Sequence, residues 1–135
     1  MLDSTSGKVG KKQLKLRFQV TDVSKPLASV RRIVENGNEV CFGLGEKDNY
    51  IVNRASGDKL ILRPNGRGSY LMDVSFVGGE KTSITVDSGA EENVCPWEWG
   101  EQFGIQQVEE MKFRNASGIL MGHWGQHDVM LTSPF

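Results

Sequence analysis

The sequence predicts a single, mostly β domain with one short α-helix. Strict apolar-polar alternation recurs in short runs, turns rich in glycine and asparagine separate those runs, and only one segment carries helical spacing. At 135 residues the chain is long enough to bury one core of its own.

Residues 1–12, rich in Ser, Gly and Lys and without an apolar period, read as a flexible basic tail, which leaves 13–135 as the domain. Leu14, Leu16, Phe18 and Val20 alternate with Lys15, Arg17 and Gln19, so 14–20 predicts a half-buried strand. Ser24 and Pro26 have the chemistry of a helix entrance. Leu27, Val30, Ile33 and Val34 then keep helical spacing until Asn36 and Gly37 end it. Next, 39–42 and 50–53 form a hairpin across 43–49. A turn at 55–58 leads into a strand over 59–63, and the turn 64–68 delivers the chain into 70–77. Gly78 and Gly79 reverse it, and 82–86 returns as the partner strand. Past Asp87, residues 96–100 begin an irregular stretch or short helical turn. Segments 111–114 and 119–124 flank Asn115, Ala116, Ser117 and Gly118 as a further hairpin, and 128–132 makes the last strand. No tandem repeat is present.

Lys and Arg number 16 against 17 Asp and Glu, a net charge of −1, which excludes bulk attraction to nucleic acid as the main theme. The charge is uneven: basic over 1–35, acidic over 80–110. One reading is a solvated basic tail and solvated acidic loops; the sharper one has Glu91 and Glu92 lining a cleft that favours basic or polar substrate side chains. The chain lacks a long apolar run and a signal-peptide core near Met1, which predicts an intracellular protein with no membrane partner. Cys41 and Cys95 fit reduced thiols better than a disulfide framework.

The chemistry concentrates at Asp87, Ser88, Gly89 and Ala90, at the exit of the apolar run Ile84, Thr85, Val86. An acid at the end of a buried strand, then a hydroxyl that can lock the loop, then a glycine that lets the backbone turn, is what the catalytic loop of an aspartic protease needs. Asp-Ser-Gly is also ordinary turn chemistry. The glycine-turned hairpin leading into it raises this copy above that background.

The stretch 70–95 resembles the start of the retropepsins, the small aspartic proteases of retroviruses and retrotransposons, in which such a hairpin leads into Asp-Thr/Ser-Gly-Ala and then an apolar strand. The resemblance implies a closed acid-protease β fold and a hydrolase that cleaves extended polypeptide segments, with no cofactor and no metal. Its chemistry needs two carboxylates sharing a proton. The chain has one Asp-Ser-Gly, so a two-fold symmetric homodimer is expected, with one Asp87 per subunit activating a water. Ser88 would brace the two loops, Gly89 would let them approach, and Ala90 would wall the cleft. Asn115, Ala116, Ser117 and Gly118 would form the tip of a flap over an extended peptide.

Segment order departs from the family. There the Asp hairpin comes first and the single helix near the end; here the strand and helix precede Asp87 and the presumed flap lies near the C-terminus, the order a circular permutation would produce. In that reading the hairpin of 39–42 and 50–53 replaces the free chain ends that sew the family's dimer together. The family's apolar-apolar-Gly element before its helix corresponds to Leu27, Ala28, Ser29, without the glycine. A catalytically inactive dimerisation or peptide-binding module built on the same fold is the competing expectation. His123, His127, Cys41 and Cys95 lack the spacing of a zinc set, and Gly43, Leu44, Gly45 lack the third glycine of a phosphate loop.

Overall fold

The computed structural model describes residues 2–4, 12–114 and 117–132. Its strands are β1 (Leu2–Ser4), β2 (Lys12–Thr21), β3 (Leu27–Ser29), β4 (Asn38–Cys41), β5 (Tyr50–Asn53), β6 (Lys59–Ile61), β7 (Arg63–Pro64), β8 (Tyr70–Phe76), β9 (Lys81–Asp87), β10 (Val94–Cys95), β11 (Phe113–Arg114), β12 (Leu120–Met121) and β13 (His123–Thr132). The one α-helix, α1, spans Val30–Glu35. The architecture is mostly β with one short helix, as the alternation predicts.

Six strands close into a ring in the order β2, β10, β3, β9, β8, β13, with β13 pairing back onto β2 from Thr132↔Gln13 to His123↔Thr21. Two neighbouring pairs are parallel, β10 with β2 and β3 with β9; the others are antiparallel. Closure leaves few backbone edges in the ring and forces alternate side chains into its interior. Leu14, Leu16, Phe18 and Val20 enter from β2, Met72, Val74 and Phe76 from β8, and Val129 and Leu131 from β13, all buried. Each contributes about 1.5–3 kcal/mol through removal from water. Trp99 packs on this interior, its ring centroid 4.8 Å from Phe18 and 5.2 Å from Phe76, while its Nε1 donates to Thr82 Oγ1 at 2.9 Å. A separate three-stranded sheet, β4-β5-β6, buries Ile51 and Leu60, which with Ile33 of α1 join the same core. No helix among the described residues is long and apolar enough to cross a membrane.

Three elements differ from the sequence reading. Leu27, Ala28 and Ser29 form a strand rather than the first helical turn, because their backbone pairs with Thr85, Val86 and Asp87. The helix cap is therefore Ser29, whose Oγ accepts from the Arg32 N–H at 3.2 Å, and not Ser24. Residues 123–132 form one ten-residue strand instead of two short segments. A register shift between His123 and Gly125 (φ 131°) breaks the apolar period there. A Cβ on Gly125 would lie 2.6 Å from the Gln106 carbonyl oxygen, so glycine is required at this bulge. Leu2–Ser4, read as part of the tail, pairs antiparallel with the start of β2; residues 5–11 lie outside the described residues.

Candidate active site

The chain runs out of β9 at Asp87, crosses over residues 88–93, and enters β10, with β3 lying between the two strands. β3 is parallel to β9 and antiparallel to β10, so Ser29 comes level with Asp87 across the sheet. The element threading beside the Asp87 loop is thus Leu27, Ala28, Ser29.

Two buried polar residues fasten the loop. The Ser29 side chain, wholly enclosed, donates from Oγ to the Ala90 carbonyl at 2.7 Å. Asn93 accepts the Ser29 N–H on Oδ1 at 2.7 Å and donates from Nδ2 to the Arg17 carbonyl at 3.0 Å, while its own carbonyl accepts the Gln19 N–H at 2.8 Å. Asn93 therefore joins β2, β3 and the loop at one point. Neither residue is legible as a site residue in the sequence, since their partners lie 61 to 76 positions away.

Asp87 is half-buried, and its Oδ1 accepts the Gly89 N–H at 2.8 Å. That bond turns the loop back on its own carboxylate. No cation among the described residues forms an ion pair with Asp87. Ser88 is exposed, with no hydrogen-bond partner among the described residues. Gly89 does not adopt a positive φ, and a Cβ there would meet Asp87 Oδ1 at an ordinary 3.4 Å. The loop's own turn therefore does not demand the glycine, contrary to the turn expected from the sequence.

Ala90 is half-buried and Glu91 exposed. Glu92, expected to line a cleft, holds a two-pronged ion pair from Arg32, with Arg32 Nε to Glu92 Oε2 at 3.1 Å and Nη2 on Oε1. This partner, ahead of any other influence, raises the Arg32 guanidinium above its ordinary value. A cleft of about 350 Å³ lies beside the pair, lined by Arg17, Arg32, Glu92, Asn93 and Asp128 among others; Asp87 does not line it. Its arginines are already paired, Arg17 with Asp128 at 2.8 Å.

The β11–β12 hairpin precedes β13, whose first residue, His123, pairs with Thr21 at the end of β2. Ser117 and Gly118 are exposed near its tip, and Arg114 Nη1 donates to the Gly118 carbonyl at 2.9 Å. Asn115 and Ala116, expected at the tip, lie outside the described residues. At the base, the Met111 N–H donates to His123 Nδ1 at 2.9 Å and the Gly122 N–H to Asp22 Oδ2 at 3.3 Å. Trp124 pairs edge-on with Trp97 at 6.2 Å, and both rings are about half exposed.

His123 and His127 serve different elements, and the described residues contain no group of three or more His, Cys, Asp or Glu side chains able to hold a metal. Burial pushes the Cys95 thiol up to about 12, which makes it an inert core side chain. Comparison of the chain with family models, curated proteins and solved structures found no match.

Proposed function

We propose that this chain is a homodimeric aspartic endopeptidase of the retropepsin type, circularly permuted, in which Asp87 of each subunit supplies one carboxylate of the dyad. The observation that carries the reading is the insertion of β3 between β9 and β10, with Ser29 level with Asp87. It gives an acid at the end of a buried strand, on a loop tied down by buried hydrogen bonds, with an exposed hydroxyl and glycine beside it. In the reaction one carboxylate, ionised, takes a proton from water as its oxygen attacks the scissile carbonyl carbon; the other, protonated, donates to the carbonyl oxygen.

A second copy has a suitable surface to meet. Phe42 stacks on Tyr70 at 4.8 Å, and Tyr70 pairs with Val86, the residue before Asp87. Beyond Phe42 stands Leu44, fully exposed on a loop that Asn49 locks by accepting from the Gly43 N–H and donating to the Gly45 carbonyl, each at 3.0 Å. An ordered loop presenting an unburied leucine two residues past the Phe42–Tyr70 contact fits a dimer seam. Leu44→Asp should raise the dimer dissociation constant about tenfold or more while leaving monomer stability within about 0.5 kcal/mol, measured by sedimentation and urea unfolding.

One observation favours the second reading, a catalytically inactive dimerisation or peptide-binding module. Ser29 stands where the family has a glycine, and its side chain fills the space beside the loop. The test is incubation of a diverse peptide mixture with the wild-type chain and with Asp87→Asn at about pH 5, products read by mass. Cleavage lost in the variant supports the protease; a folded dimer that cleaves nothing supports the module.

A further inference from the structure

A line of oriented hydrogen bonds runs from the hairpin base along the outward-facing residues of β2 and β13. The Met111 N–H donates to His123 Nδ1 at 2.9 Å, so this nitrogen carries a lone pair and the ring proton resides on Nε2. Nε2 faces Gln19 Oε1 at 2.9 Å, which leaves the Gln19 amide to donate to Gln126 Oε1 at 3.2 Å. Gln126 Nε2 donates to Gln106 Oε1 at 2.9 Å, and Gln106 Nε2 to Asp128 Oδ2 at 3.3 Å. Every donor points the same way and the line ends on an acceptor-only carboxylate, so it cannot reverse. His127, four residues further along β13, has the opposite arrangement. Its Nδ1 must donate to the Gly104 carbonyl, and its buried Nε2 has no partner among the described residues.

We propose that His123 is a positioning residue that latches the β11–β12 hairpin when neutral and releases it when protonated. The inference rests on the reading of that hairpin as the flap of the proposed site. An imidazolium carries a proton on both nitrogens. A proton taken from solvent onto His123 Nδ1 would confront the Met111 N–H, donor against donor, and this contact is what ties the start of the hairpin to β13. Asp22, after β2, accepts the Gly122 N–H; Glu110 and Lys112 flank Met111 on the exposed side; Arg17 and Asp128 are at the far end of the line. Among the described residues none forms an ion pair with the ring, whose other neighbour is Phe113, edge-on at 5.6 Å. Release in acid coincides with the conditions under which a dyad sharing one proton works, so the hairpin loosens when the site is competent.

The test uses the full chain with 15N-labelled histidine. At pH 7.5 the imidazole nitrogen shifts should report one ring protonated at Nε2 and one at Nδ1. Protection of the Met111 amide, corrected for intrinsic exchange, should fall about tenfold between pH 7.5 and pH 5, as expected for a lost hydrogen bond. His123→Gln, which keeps an acceptor and a donor but does not titrate, should remove that fall. Two rings protonated at Nδ1 in neutral solution, equal Met111 protection at both pH values, or an equal fall in His123→Gln would each overturn the latch. The wild-type arms decide the matter even if the variant does not fold. None of these readouts needs peptide hydrolysis, so a chain that cleaves nothing yet loses Met111 protection in acid would sink the protease reading and uphold the latch.

Discussion

The Asp87 loop and the β11–β12 hairpin are both short excursions from the same barrel, but they are held by different means. Buried side chains fix the loop: Ser29 and Asn93 spend their polar atoms on backbone groups of the loop, β3 and β2. The hairpin has strands that are half-buried only at Phe113 and Met121, no fully buried apolar side chain among the described residues, and anchors at its base from His123, Asp22 and Thr21. Local opening free energy follows buried contacts, so the loop should open only with the whole barrel and the hairpin well before it. In a peptidase that contrast has a use: a fixed floor for the reacting carboxylate and a cover able to move for substrate.

The comparison breaks most readily at Asn93. Asn93→Ala strands the Ser29 N–H and the Arg17 carbonyl in a buried setting, and should lower global stability by about 3 kcal/mol in urea unfolding. A loss below about 1 kcal/mol would mean the loop is not fastened as described.

A smaller effect is expected from acid. Arg17, first through its hydrogen bond and then its charge, holds the Asp128 carboxyl below its ordinary value, and Arg63 does the same for Asp73. A carboxyl depressed on folding adds stability that is present above its unfolded value and lost as pH falls through the folded one. Urea midpoints should therefore drop below about pH 4, and Asp128→Asn should flatten part of that drop. The effect is modest because Arg17 is 59% exposed.

Smallest of all is Arg114→Ala in the hairpin, which removes the exposed bond to Gly118. Global unfolding should change by less than about 0.5 kcal/mol, while amide exchange over 111–121 quickens. A large global loss would erase the distinction between floor and cover.

The two regions also differ in how much of them the sequence disclosed. Strands with one face inward, such as 14–20 and 70–77, are legible because burial imposes period two on each strand separately. The Asp87 loop could be located from local chemistry, but its fastening could not, since Ser29 and Asn93 gain their roles only when β3 slides between strands distant in the chain. Leu27 misled for the same reason: its spacing is helical, yet cross-strand pairing to Thr85 overrides it. On the hairpin side the pairing of 113–114 with 120–121 was legible. The bond from the Met111 N–H to His123 was not, because Gly122 and the bulge before Gly125 hide the start of β13.

The central claim is that two copies of Asp87, one from each subunit, make a single site. Mixing wild-type chain with an equal amount of Asp87→Asn, allowing subunits to exchange, and measuring peptide cleavage at about pH 5 tests it directly. Random pairing leaves about a quarter of the dimers with both carboxylates, so the predicted activity is about a quarter of that of an all-wild-type sample at the same total concentration. Retention of half the activity would mean that each chain acts alone, and absence of cleavage from the unmixed wild-type dimer would contradict the site altogether.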